Sequence, residues 1–259
     1  MGQSKKSSKP QNKEHEILPV RVSTFDSAIS AGGVERGSSL LVSGGCGTGK
    51  TTFTLQSLYN GALKGEKGLY ISLEENAEKL KAHMHKNFGW DVDGLEKKGL
   101  LSIRKIDPFE IAKAVEAELM RKRQGKLLIR ISGLPSLIPK NLKPDRIVLD
   151  SLSALSAAFA ENREMYRIFL RQIMESFEKY DSVNFFLSET EQNPELYSRQ
   201  GIEEFLVDGV IVLYNVKAGH MRQRAIEILK LRCSDHSKKI MPYQITKNGI
   251  EIYPDQEIF

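Results

Sequence analysis

Eight residues, Gly44-Gly45-Cys46-Gly47-Thr48-Gly49-Lys50-Thr51, put four glycines ahead of a lysine and a threonine. They fit the pattern G-x-x-x-x-G-K-(S/T), whose chemistry is phosphate binding. Glycines let the backbone curl so that successive N–H groups converge on phosphate oxygens. A helix starting there adds partial positive charge. In such a loop Lys50 bridges the β- and γ-phosphates of a nucleoside triphosphate and the Thr51 hydroxyl holds Mg²⁺. Gly45, Cys46, Gly47, Thr48, Gly49 and Thr52 complete the cradle. The competing use, a plain glycine-rich strand–helix turn, leaves Lys50 and Thr51 without a task.

Carboxylates supply the rest of the chemistry. Asp150 closes the apolar run Arg146-Ile147-Val148-Leu149 and reads as a second Mg²⁺ anchor, acting through water. Its alternative use is to cap the turn at Ser151-Leu152. Glu74 and Glu75 end the run Gly68–Leu73, a strand expected to lie beside the loop strand. There a carboxylate orients and deprotonates the attacking water. As ordinary helix-start acids the two would only answer the helix dipole. Ser188 and Glu189 are candidates for sensing the γ-phosphate from a neighbouring strand. Cys46 reads as a small loop filler rather than a redox-sensitive thiol. His83, His85, His220 and His236 have no spacing with Cys46 and Cys233 that would make a zinc site.

These groups need elements to hold them. Ser39–Ser43 is a strand leading into the loop, and Thr52–Leu63 is a helix leading out of it. Further strands are expected at 68–73, 101–106, 146–150 and 183–187, with helices at 77–87, 108–123 and 161–180. Pro108 suits the first turn of its helix. Residues 126–138 are apolar and turn-rich, a small hairpin or a loop. Residues 192–204 read as a polar loop. Strands at 209–213, 225–232, 240–245 and 250–253 follow, with Lys247-Asn248-Gly249 as a hairpin turn. Alternating strands and helices predict an α/β fold: a mainly parallel sheet flanked by helices, with an antiparallel C-terminal extension. Ligands of such sheets sit at the carboxyl ends of the strands. That rule gathers the loop, Glu74-Glu75, Asp150 and Ser188-Glu189 at one edge.

Composition sets the class. A hydrophobic share of 40% against 27% charged residues suits a globular core. The sequence carries no apolar run of the ~18–20 residues a membrane helix needs and no visible signal peptide. Two cysteines make no disulfide framework, so a cytoplasmic location is expected. A net charge of +5 permits nucleic-acid contact without arguing for it. Residues 1–16, rich in lysine and serine, are expected to be disordered, leaving residues 17–259 as one domain.

Several segments together resemble the KaiC-type branch of the RecA-like ATPases. They are Thr24-Phe25-Asp26 with the Gly32-Gly33…Gly37 turn, the phosphate loop, Tyr70-Ile71-Ser72-Leu73-Glu74-Glu75 and Phe88-Gly89-Trp90-Asp91. To these add Val148-Leu149-Asp150-Ser151, Gly201-Ile202-Glu203-Glu204-Phe205 with Asp208-Gly209-Val210, and Leu229-Lys230-Leu231-Arg232…His236. The resemblance implies a RecA-like core that binds ATP and Mg²⁺ between subunits of a ring, usually a hexamer. It implies that Glu74 and Glu75 hold the lytic water. It also implies that Lys230 and Arg232, with His236 nearby, reach a neighbour's ATP; read alone, the two cations are equally a solvated strand edge. The family's circadian clock proteins carry two such domains, and this chain shows one. Residues 126–143 look like an insertion, and Cys233 stands where related sequences commonly have glycine. No paired Ser-Thr phosphoacceptor segment follows Glu189, so a timekeeping role is not implied.

The first expected function is a slow, oligomeric ATPase acting as a regulatory or assembly switch. The alternatives are a RadA-like recombinase accessory protein that binds DNA, and a non-catalytic nucleotide-gated scaffold. Nucleic-acid binding is possible but not favoured, because Glu191, Glu195, Glu203 and Glu204 face only Arg199 in the 190–204 stretch.

Overall fold

The computed structural model describes residues 16–122, 137–159, 162–192 and 196–257. The lysine-rich tail before Glu16 and residues 126–136 of the expected insertion lie outside the described residues.

Two short strands, β1 (Ile17–Leu18) and β2 (Val34–Glu35), pair antiparallel ahead of the main sheet. The core then runs β3 (Ser39–Gly44), α1 (Lys50–Ala62), β4 (Gly68–Ser72), α2 (Ala77–Phe88), α3 (Val92–Lys97), β5 (Leu101–Lys105) and α4 (Pro108–Lys122). It continues through β6 (Arg146–Asp150), α5 (Leu152–Ala158), α6 (Arg163–Glu178), β7 (Val183–Glu189) and α7 (Glu203–Leu206). Strands β8 (Gly209–Ala218), β9 (Met221–Leu231), β10 (Met241–Thr246) and β11 (Gly249–Ile252) finish it.

Among the described residues one sheet has the order β11-β10-β9-β8-β3-β7-β6-β4-β5. Strands β8 through β5 in that order are parallel, and β9, β10 and β11 add antiparallel. The expected mixed architecture is therefore present. One expectation is corrected. The strand ending in Glu74-Glu75 does not adjoin the loop strand; β7 and β6 stand between β4 and β3. Sequence neighbours are often sheet neighbours, but the crossover here skips two positions.

Period-two alternation divides the strand side chains between two cores. Leu40 and Val42 of β3 pack with Phe53 and Leu58 of α1 and Leu80 and Met84 of α2. Leu41 faces the other way, into the cluster of Ile111, Val115, Phe169, Ile173 and Phe177 from α4 and α6. Leu137 and Ile138, at the end of the expected insertion, are buried in this second core.

Three helices, α3, α5 and α7, escaped the periodicity reading because each is under two turns long. The first two begin at a capping side chain. Asp91 accepts from the Gly94 N–H at 2.9 Å to start α3, and Ser151 accepts from the Ala154 N–H at 3.2 Å to start α5. The β8–β9 hairpin is also longer than expected, with paired residues from Asn215↔Arg224 to Ala218↔Met221 beyond the apolar run. In the expected polar loop, Glu203 is fully buried and accepts from the Tyr166 hydroxyl at 2.8 Å, tying α7 to α6. Cys233 adopts φ +63°, the left-handed conformation that a glycine would take without strain.

At the start of β6 the guanidinium of Arg146 is buried. It donates to Glu66 Oε2 at 2.7 Å, Ser57 Oγ at 3.1 Å and the Pro19 carbonyl at 2.5 Å. Arg21 donates to the other Glu66 oxygen at 2.7 Å. One arginine thereby joins the N-terminal segment, α1 and the sheet.

Candidate functional site

Parallel register fixes where the strands end. Gly44 of β3 lies level with Glu189 of β7, and Ser72 of β4 lies level with Asp150 of β6. The glycine-rich loop leaves β3 at this edge and enters α1 through Gly49, whose φ of +90° is open to glycine at little cost. Gly45, Cys46, Gly47 and Thr48 form the turn itself, with Cys46 exposed and Thr48 buried. Thr51 and Thr52 sit half-buried in the first turn of α1.

Lys50 folds back over the loop, donating to the Gly44 carbonyl at 2.8 Å and the Gly45 carbonyl at 3.1 Å. Burial pulls its ammonium below the usual lysine range, while the carboxylates of Glu189, Asp150 and Glu74 oppose that shift. Asp150 Oδ2 accepts from the Thr51 hydroxyl at 3.1 Å and also from the Tyr70 hydroxyl. Its carboxyl is pushed up to about 6. Burial is the main cause and the charge of Glu74 adds to it, against the two hydroxyls and Lys50. Asp150 does not cap the following helix; Ser151 does.

Thr51 and Asp150 therefore offer two hard oxygens to one spot, and the half-buried carboxylate lacks an ion-pair partner among the described residues. This donor set fits Mg²⁺, which takes few protein oxygens and completes its shell with water and phosphate.

The two glutamates part company. Glu74 Oε1 accepts from the Ser151 hydroxyl, which draws its carboxylate toward the end of β6 although two strands intervene before the loop strand. Glu75 is the less exposed of the two and pairs elsewhere, 3.3 Å from Lys79 Nζ and 3.7 Å from His83 Nδ1. Ser188 and Glu189 part likewise. Ser188 is buried and accepts from the Arg199 N–H at 3.3 Å, while Glu189 is exposed and its charge acts on Lys50.

Lys230, Arg232 and His236 are not part of this cluster. Lys230 pairs in register with Val210, and Arg232 bonds to Asp208, whose carboxylate accepts from the Ser39 N–H. That is the amino end of β3, ~17 Å along the strand from Gly44 at 3.3 Å per residue. Lys230 Nζ donates to the Val207 carbonyl at 2.7 Å and the Glu204 carbonyl at 3.2 Å; Arg232 pairs with Asp208 at 3.2 Å. His236 is buried in a bridge to Ile29, its Nδ1 3.0 Å from the Ser237 carbonyl.

Five residues of the site went unread in the sequence. Tyr70 and Ser151 hold the acids, and Gln192, Arg224 and Tyr243 touch the loop. Ser151 had a signal, a capping residue directly after a strand. The others sit up to 195 residues from what they touch, and no spacing announces them.

A parallel sheet with the glycine-rich loop between β3 and α1, an acid closing β6 and an antiparallel margin defines a RecA-like P-loop core. The sequence profile described as "ATPase: KaiC" matches residues 18–257, and the chain belongs to the KaiC-like ATPase family. Similarity extends to the circadian clock oscillator protein KaiC of Synechococcus elongatus, 31% identical over 94% of this chain and 46% of that protein. The chain spans about half the length of the curated KaiC relatives it matches. A UPF0273 protein of Thermotoga maritima is 30% identical over 88% of this chain and 92% of its own length. The crystal structure of the KaiC-like protein PH0186 from Pyrococcus horikoshii superposes with a TM-score of 0.70 at 30% identity. It covers 93% of this chain and all of that one. Among the described residues no helix is long and apolar enough to cross a membrane.

Proposed function

We propose that the protein binds Mg·ATP in the loop at the carboxyl edge and hydrolyses it slowly, as a cytoplasmic ring oligomer that serves as a regulatory or assembly switch. The observation that carries this reading is the convergence of Lys50, Thr51, Asp150 and Glu74 from three separate strand ends. The loop amides and Lys50 hold the β- and γ-phosphates; Thr51 and Asp150 hold Mg²⁺, which neutralises charge on the transferring phosphoryl group. Water attacks the γ-phosphorus, the bond to the β,γ-bridging oxygen breaks, and ADP leaves. Glu74 takes the water's proton, because Glu75 is turned toward Lys79 and His83.

Lys230 and Arg232 act on the ATP of a neighbouring copy, where fixed cations stabilise the transition-state charge. Their place at the far edge supports action in trans. So does Phe205 beside them, 72% exposed in the helix whose Glu204 carbonyl Lys230 holds.

Phosphate release is the test. Lys50→Ala and Glu74→Gln should each lose at least ~100-fold in turnover, and Glu75→Gln less than ~10-fold. Arg232→Ala should lose turnover alone and regain part of it when mixed with Lys50→Ala, because each copy supplies what the other lacks. Tight ATP binding with no turnover in the wild type would make the protein a nucleotide-gated scaffold. No ATP binding at all would refute the reading, and a monomer with Mg·ATP bound would remove the ring.

A further inference from the structure

Three carbonyls of the glycine-rich loop are held by donors from outside it. Gln192 Nε2, just beyond β7, donates to the Cys46 carbonyl at 3.0 Å. Arg224 Nε, on β9, donates to the Gly47 carbonyl at 3.4 Å. The buried hydroxyl of Tyr243, on β10, donates to the Thr48 carbonyl. These are consecutive peptide groups.

In a trans peptide the C=O and the N–H of one plane point in opposite directions. Fixing the carbonyls of Cys46, Gly47 and Thr48 therefore aims the N–H groups of Gly47, Thr48 and Gly49 to the other side. The Thr48 N–H does face inward, 3.5 Å from the Gly45 carbonyl, which also receives Lys50 Nζ. The outer side is closely packed as well. A Cβ on Gly45 would lie 2.7 Å from Gln192 Cδ, and one on Gly49 would lie 2.7 Å from Ile245 Cδ1 of β10.

We propose that Gln192, Arg224 and Tyr243 are positioning residues that set the loop's amides for phosphate before the nucleotide arrives. Tyr243 carries most of the effect, because its hydroxyl is buried. Preset dipoles spare the reorganisation that a floppy loop would undergo on binding. The antiparallel margin of the sheet is then part of the phosphate site, although none of its residues lies in the loop. This rests on the reading that the loop binds a triphosphate.

The experiment measures ATP and AMP affinities by competition against a fluorescent ATP analogue, together with nucleotide-free unfolding midpoints. The variants are Tyr243→Phe, Gln192→Leu and their double. AMP lacks the phosphates that enter the loop, so it reports general damage to the site. Tyr243→Phe should weaken ATP about five-fold, the double variant about twenty-fold, and AMP less than two-fold. Equal weakening of ATP and AMP would reduce the contacts to ordinary packing and overturn the proposal. If Tyr243→Phe unfolds, the surface variant Gln192→Leu decides by the same ATP-to-AMP ratio. Lys50→Ala separates the two failures. If it loses ATP while the three outer variants bind like wild type, the positioning proposal alone falls. If wild type binds no ATP, the underlying reading falls with it.

Discussion

Strand β6 carries a charged side chain at each end, and the two are treated differently. Arg146, at the start, is enclosed and fully matched: a carboxylate, a hydroxyl and a backbone carbonyl take its donors. Asp150, at the finish, is half-buried, and its hydrogen-bond partners are two hydroxyls and no cation. The first arrangement holds the fold together. The second leaves a carboxyl at the glycine-rich loop with Lys50 as a nearby charge but without an ion pair among the described residues. The two ends of one five-residue strand thus differ: one charge is paired within the chain and the other is met only by hydroxyls.

The largest effect should come from breaking the paired end. Glu66→Ala strands the buried Arg146 without its carboxylate and should cost about 3–5 kcal/mol in denaturant unfolding. A loss below ~1 kcal/mol would mean that Arg146 finds water and that the two ends are alike. The end without an ion pair should move oppositely. The Asp150 carboxyl sits at about 6, above its ordinary 3.8, so its favourable contribution holds at low pH and is lost as pH rises through 6. Asp150→Asn should therefore be more stable than wild type by about 2 kcal/mol at pH 8 without nucleotide, with the advantage gone near pH 4. Wild type should gain in thermal midpoint on adding Mg·ATP, and the variant should gain little.

Acid titration sharpens the contrast with a smaller signal. Burial pushes the Glu66 carboxyl up, but hydrogen bonds from Arg21 and Arg146 outweigh it and leave it below its ordinary 4.5. Its stabilisation is present above that value and fades as pH falls through the depressed one. Unfolding midpoints between pH 5 and 3 should drop more steeply in wild type than in Glu66→Gln. The smallest change concerns backbone near the amino edge. Cys233→Gly relieves the left-handed conformation beside Arg232 and should add about 0.5–1 kcal/mol, with turnover unchanged.

The sequence disclosed what local spacing can encode. The loop from Gly44 to Thr51 and the acid closing an apolar strand at Asp150 were legible because chemistry and periodicity coincide there. The parallel sheet followed from alternating strands and helices. Sheet order was not legible: Glu74 was expected beside the loop strand, and the crossover places β7 and β6 between them. The different surroundings of Glu74 and Glu75 were equally hidden, since Glu74 meets the Ser151 hydroxyl 77 residues away. Tyr70 carried no signal of its own because its strand is buried along its whole length, and only its hydroxyl contact with Asp150 distinguishes it.

Tyr243 meets the loop across 195 residues of chain. At typical synthesis rates of ~5–20 residues per second, roughly 10–40 seconds pass on the ribosome between the emergence of Thr48 and that of its tyrosine partner. Throughout that interval the growing polypeptide has the P-loop motif without the strand whose tyrosine donates to the Thr48 carbonyl.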